Sequence, residues 1–270
     1  MKVILLSGLA AFAIAAPAIA ADLPIKSGPF VPAPAAPNWS GFYLGGNIGY
    51  LVQHDPSSLT DFTQPAAPVS NAALSTASAT SFTGGLQAGY NWQFAPQWVV
   101  GVEGDWNWLR AGDSLCRATD SGGAAECSDT GRGFLTMSEN TNWLASARGR
   151  LGWAWNNILF YGTGGAAWGS VQTTLTASCT GVAGVGGCGN NGTANFTSIS
   201  FSDTRTGWVA GLGAEAMLGA HWSARLEWLH YDLGTVTDSF IAPAAVGSYG
   251  VSWSRGLEYE TIRLGANYKF

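Results

Sequence analysis

Charge is scarce in this sequence. Asp, Glu, Lys and Arg make up 11% of the 270 residues, less than half the ~25% of an ordinary soluble domain. A chain so poor in charge cannot clothe a conventional water-facing surface. Lys plus Arg number 12 against 17 for Asp plus Glu, and they form no basic run, so a nucleic-acid partner is excluded. Beyond the first 20 residues no long apolar run occurs. Gly, Asn, Gln or a charge interrupts each one before the ~20 residues a helical span requires. Histidine is limited to His54, His221 and His230. None is near a cysteine, and no cysteine pair has CxxC spacing, which argues against a zinc site. Neither a metal nor a cofactor is expected.

What the sequence does contain is segregated along its length. Lys2 precedes an apolar stretch from Val3 to Ile14, and Ala18-Ile19-Ala20 offers small residues for cleavage. That is the layout of a secretory signal peptide over residues 1–20, too short for a membrane-spanning helix. Residues 21–40 carry Pro24, Pro29, Pro32, Pro34 and Pro37 and read as an extended periplasmic tether. The remainder, 41–270, is rich in Gly (37 in the whole chain) and Trp (13). Its cysteines form two local pairs, Cys116 with Cys127 and Cys179 with Cys188. After export these favour two short-loop disulfides, with cross-pairing as the alternative.

From Phe42 onward the pattern has period two, the signature of β-strands. Phe42, Leu44, Ile48, Tyr50 and Val52 share one face. In the next segment Phe82, Leu86, Ala88, Tyr90, Trp92 and Phe94 oppose Thr83, Gln87, Asn91 and Gln93. After Ala95-Pro96-Gln97, Trp98, Val100, Val102, Trp106 and Trp108 alternate with Glu103, Asp105 and Asn107. The pattern returns at 143–155, 158–171, 205–218, from Trp222 through Trp228, and at 260–270. Eight strands result, joined alternately by three turns of about two or three residues and four loops of roughly 20 to 33 residues, the asymmetry of outer-membrane barrels. Both cysteine pairs fall in these loops. The expected fold is all-β: an eight-stranded antiparallel transmembrane up-and-down barrel with short periplasmic turns and four long extracellular loops.

A lipocalin-like soluble barrel would show the same alternation turned inside out. Aromatic residues decide for lipid outside. Phe42, Trp92, Phe94, Trp98, Trp153, Trp155, Trp222, Tyr268 and Phe270 crowd the short-turn ends, and Trp108, Trp143, Trp168 and Trp208 the loop ends, as two interfacial girdles would. The opposite face carries Glu103, Asp105, Glu215 and Glu227 with Arg148, Arg150, Arg225 and Arg263. Four acids matched by four bases suit a lumen just wide enough for its own side chains. The expectation is a salt-bridge plug, with a narrow or gated water path as the alternative.

The opening W-S-G-F-Y-L-G-G-N-I-G-Y (Trp39 to Tyr50), the G-G-L-Q-A-G-Y-N-W-Q from Gly84 to Gln93 and the ending G-A-N-Y-K-F (Gly265 to Phe270) resemble the small outer-membrane β-barrels of alphaproteobacteria. This is the 25- and 31-kDa surface-antigen, porin-like class. The resemblance covers the mature chain and implies abundant envelope proteins, host-facing antigens and, in some members, small-solute or haem binders. It implies that Tyr268 and Phe270 are read by the outer-membrane assembly machinery. It also implies that Ala21-Asp22 could be joined covalently to peptidoglycan, the alternative being that Asp22 simply follows the cleavage site. The chain departs from the class in its long Ala/Ser/Gly-rich loops.

Two local motifs mislead. Gly211-Leu212-Gly213-Ala214-Glu215-Ala216 fits the dinucleotide fingerprint but has no strand-turn-helix unit around it. His230 and Asp232 lie near a loop end, where a lipid A-modifying barrel hydrolase would place them, yet no nucleophile is identifiable. The reading is therefore no enzyme. The chain is expected in the outer membrane, in contact with its lipids and lipopolysaccharide, supporting the envelope and surface interactions, with limited solute passage at most. A porin-type channel is the alternative.

Overall fold

Strands carry unpaired backbone groups along each edge, and a bilayer tolerates them only when no edge is left open. The computed structural model describes residues 37–54, 58–64, 67–68, 80–118, 133–179, 197–241 and 250–270. The signal peptide, most of the tether and Ala21-Asp22 lie outside these residues. The strands are β1 (Gly41–Gln53), β2 (Ser58–Gln64), β3 (Ala67–Pro68), β4 (Thr80–Gln93), β5 (Trp98–Ala118), β6 (Gly133–Trp155), β7 (Ile158–Cys179), β8 (Thr197–Met217), β9 (Trp222–Ile241) and β10 (Gly250–Lys269). β1 and β4 to β10 pair antiparallel in sequence order, and β1 closes the ring on β10.

The closing seam runs from Tyr43↔Lys269 to Gln53↔Tyr259, and Phe270 N–H donates to the Phe42 carbonyl oxygen at 3.0 Å. Following paired residues from Leu44 through Ala88, Gly104, Ala147, Ala166, Trp208, Asp232 and Glu258 returns to β1 at His54. That stagger of ten residues on eight strands implies a tilt of about 40°, from ~3.3 Å per residue and ~4.8 Å between strands. The short turns are tight. Asn156 takes φ 55°, a conformation Asn tolerates, and Leu218 N–H reaches Trp222 O at 2.8 Å.

The strands are longer at the loop end than alternation predicts. β5, β6 and β7 run 21, 23 and 22 residues, about twice a membrane crossing. The described strands reach to the edges of 119–132, 180–196 and 242–249, and between β1 and β4 stand the two further strands β2 and β3. β2 pairs with Gly250–Ser254 of β10, above the part that β1 occupies. Cys116 and Cys179 therefore stand in β5 and β7 rather than in loops, in register with Thr136 and Gly133. Cys127 and Cys188 lie outside the described residues, as does the expected disulfide pairing. The physical reason is that segments polar on both faces, such as Ser138-Glu139-Asn140 and Gln172-Thr173-Thr174, lack the apolar alternation that announces a strand.

Candidate functional site

The inward face of each strand determines what the barrel encloses, and three layers fill it. At the short-turn end Trp39, Val99, Ala154, Leu159 and Tyr161 form an apolar cluster. Trp39 is 2% exposed, and its backbone N–H donates to Gln93 Oε1 at 2.9 Å. The segment just before β1 therefore corks the mouth. Gln93 N–H in turn donates to Ser40 Oγ at 3.0 Å, fixing the entry of the chain.

The middle layer contains all eight charges that the sequence pattern singles out, each no more than 7% exposed. They interlock around the lumen. Arg148 pairs with Glu103, with Glu227 at 3.0 Å and with Asp105 at 3.2 Å. Arg263 reaches Asp105 at 2.9 Å and Glu227 at 2.5 Å. Arg225 pairs with Glu103 and lies 3.7 Å from Glu227, and Arg150 contacts Glu215 at 3.2 Å and Glu103 at 3.7 Å. Every acid touches at least one guanidinium, which is the condition under which buried charge is tolerated.

Neutral side chains complete the layer. Tyr43 donates its hydroxyl to Glu103 at 2.6 Å and Tyr161 to Glu227 at 3.1 Å. Arg150 lies 4.7 and 5.3 Å from their two ring centroids, within cation–π range. Gln87 donates to Asn267 Oδ1 at 2.7 Å, and Asn267 to Glu215 Oε1 at 2.8 Å. These neutral residues carry no signal beyond strand parity, and a reading based on formal charge passes over them. The glycines that make room for them are likewise unreadable alone. A Cβ on Gly89 would strike the Tyr43 ring, and one on Gly213 the Tyr161 ring, an alternation of small and large that small barrels need.

The third layer is one that the sequence reading, confined to the charged plug, does not name. Toward the loop end Leu51, Leu109, Leu144, Val209, Leu229, Leu233 and Leu257, with Tyr231 and Tyr259, form one buried apolar cluster, with Gln53, Glu139, Thr141 and Thr173 buried on its loop side. Among the described residues the polar layer is thus capped on both sides. Around the leucines of this cap, inward and outward residues are both apolar, so alternation, the signal available to sequence reading, vanishes.

The outward face is apolar and bounded by aromatics at both ends. Trp92, Trp98, Trp153, Trp155, Trp222 and Phe270 are exposed at the short-turn end, as are Trp108 and Trp208 at the other. Phe270 is 73% exposed and packs edge-on against Tyr268 at 5.3 Å. His230 also faces outward, bonded to Glu260 at 2.8 Å and 5.3 Å from the Trp208 ring. Asp232 accepts from Trp208 Nε1 at 3.1 Å rather than orienting His230. Gly211 to Ala216 lie within β8. Among the described residues no His, Cys, Asp and Glu group could hold a metal.

The family model for the outer membrane protein beta-barrel domain matches residues 7–270. The chain is 31% identical to the 31 kDa outer-membrane immunogenic protein of Brucella melitensis over the full length of both. It is 29% identical to the 22 kDa outer membrane protein of Rhizobium leguminosarum bv. viciae, over 88% of this chain and 82% of that one. Among solved structures, the outer membrane protein OprG from Pseudomonas aeruginosa aligns at TM-score 0.45 and 13% identity, covering 87% of this chain and 98% of the other.

Proposed function

The chain belongs to the outer-membrane β-barrel family, and from that premise we propose that it is a non-conducting, non-enzymatic envelope protein. It braces the outer membrane and presents its loop end to the exterior. The observation that carries this reading is the filled lumen. A charge layer with every acid paired lies between an apolar cap and a Trp39 cork. Water crossing that route would have to displace close-packed apolar side chains and break buried ion pairs.

Its similarity to an outer-membrane immunogenic protein supports exposure of the loop end to the outside, with the short turns and the tether in the periplasm. Tyr268 and Phe270 serve assembly in this reading, since Phe270 is free to project from the seam it closes. Ala21-Asp22, reached through the tether, is the place for a link to peptidoglycan. The non-enzymatic reading is supported by His230, whose imidazole is held by Glu260 on the lipid-facing side.

Planar-bilayer recording on the purified chain tests the central point. Silence at applied voltages that open porins is expected. Stable, reproducible conductance steps, abolished by changing Arg148 or Glu227, would establish a lumen path and overturn the proposal.

A further inference from the structure

Above the upper aromatic row, the outward face of the β6–β8 wall carries hydroxyl and amide side chains in three successive rows. Ser138↔Thr174↔Ser200 and Thr136↔Thr176↔Ser198 stand in register across the three strands. Thr174 and Ser200 share a hydrogen bond of 3.1 Å, and Thr176 and Ser198 one of 3.3 Å. One row nearer the membrane, Asn140, Gln172 and Ser202 continue the pattern. On β7 the inward neighbours Val171 and Thr173 are buried, whereas on β8 the residues opposite them, Phe201 and Asp203, are exposed, Asp203 pairing with Arg205 at 2.9 Å.

An exposed face that meets only water is ordinarily interspersed with both signs of charge. Elsewhere on this barrel the outward face carries charge at or just above the aromatic row: Arg110 on β5, and Asp232 and Glu258, paired in register, on β9 and β10. Among the described residues the grid has no charge. It begins where Trp143, Trp168 and Trp208 end the apolar band, and is therefore continuous with the bilayer surface. With the loop end turned outward, as proposed above, the saccharide portion of outer-leaflet lipopolysaccharide would stand beside it.

We propose that this uncharged Ser/Thr/Asn/Gln face of β6–β8 is a lateral docking surface for neutral, hydroxyl-rich polysaccharide of the surrounding outer leaflet; the inference rests on the outward orientation of the loop end proposed above. The chemistry matches on both sides. Hydroxyls already tied to one another across strands keep donors and acceptors in fixed positions, and a sugar face offers the same groups at similar density. Preorganised donors lose little entropy on binding, and many weak hydrogen bonds act in parallel.

The test uses the full chain in detergent micelles and the lipid-A-free polysaccharide released by mild acid from the producing cells' outer membranes, read by saturation-transfer NMR. The expected result is transfer to the saccharide from the wild type. Binding should be roughly tenfold weaker for a variant carrying Thr174→Val, Thr176→Val, Ser198→Ala and Ser200→Ala. A Glu258→Gln/Glu260→Gln control should keep full transfer. Heat-modifiable migration in gels reports whether each variant still forms a barrel, and Thr174→Val alone serves if the quadruple variant does not. No transfer to the wild type, or undiminished transfer to a folded grid variant, overturns the proposal. An epitope inserted between β7 and β8 and probed on intact cells reports the orientation separately, so a failure of that premise is seen on its own.

Discussion

Replacing Glu227 by Gln removes one negative charge from the middle of the lumen while nearly preserving side-chain shape. Glu227 is 1% exposed and accepts from Arg148 at 3.0 Å, from Arg263 at 2.5 Å and from the Tyr161 hydroxyl at 3.1 Å, with Arg225 3.7 Å away. The Gln amide nitrogen would face a guanidinium, donor against donor, and the layer would hold four bases against three acids. Breaking a buried pair by removing one partner costs about 3–5 kcal/mol, a factor of roughly one hundred to several thousand in the folding equilibrium.

A second change should restore balance. Arg263→Gln in the same chain leaves three acids and three bases, and Asp105 keeps Arg148 at 3.2 Å. Because the two sites are in contact, their costs are not additive, and the double variant should be at least about 2 kcal/mol more stable than the sum of the singles implies. Urea titration of the barrel in lipid vesicles, followed by gel migration and tryptophan fluorescence, measures all three. A Glu227→Gln cost below about 1 kcal/mol, or a double variant that loses the full sum, would refute the view of the layer as one electrostatic unit.

Four further outcomes are expected. Leu229→Ala, at a position 0% exposed in the upper cap, should cost about 2–5 kcal/mol by leaving a cavity, measured in the same urea titration. Trp39→Ala should cost about 3–5 kcal/mol and leave the barrel silent in planar bilayers, since the charge layer and upper cap remain; a Trp39→Ala barrel that conducts would place the seal at the mouth alone. Gly207→Val should block assembly, because a Cβ there would collide with the Asp232 carbonyl oxygen and Leu233 backbone, seen as loss of the heat-modifiable form. His230→Ala should leave the cell's lipid A unchanged by mass spectrometry, and a lost lipid A species would reinstate an enzymatic reading.

The amino-acid order alone determines the strand count, the closure of the last strand on the first and the outward face, because each rests on period-two alternation or aromatic placement, which are local. It also picks out the eight lumen charges, since parity assigns every one of them to the inward side. Which acid meets which base was not legible. Glu103 and Arg225 are 122 residues apart in sequence, and only the stagger of ten residues around the ring brings them together. Tyr43 and Tyr161 reach the charge layer through glycines on neighbouring strands, a fit that has no local mark. The upper cap escapes notice because Leu144, Leu229 and Leu233 are apolar inward where the lipid side is apolar too. The height of the wall escapes because Thr174 and Ser138 are polar outward where the buried inward neighbours Thr173 and Glu139 are polar as well. Local periodicity reports contrast between two faces. Where the contrast disappears, only the packed barrel decides.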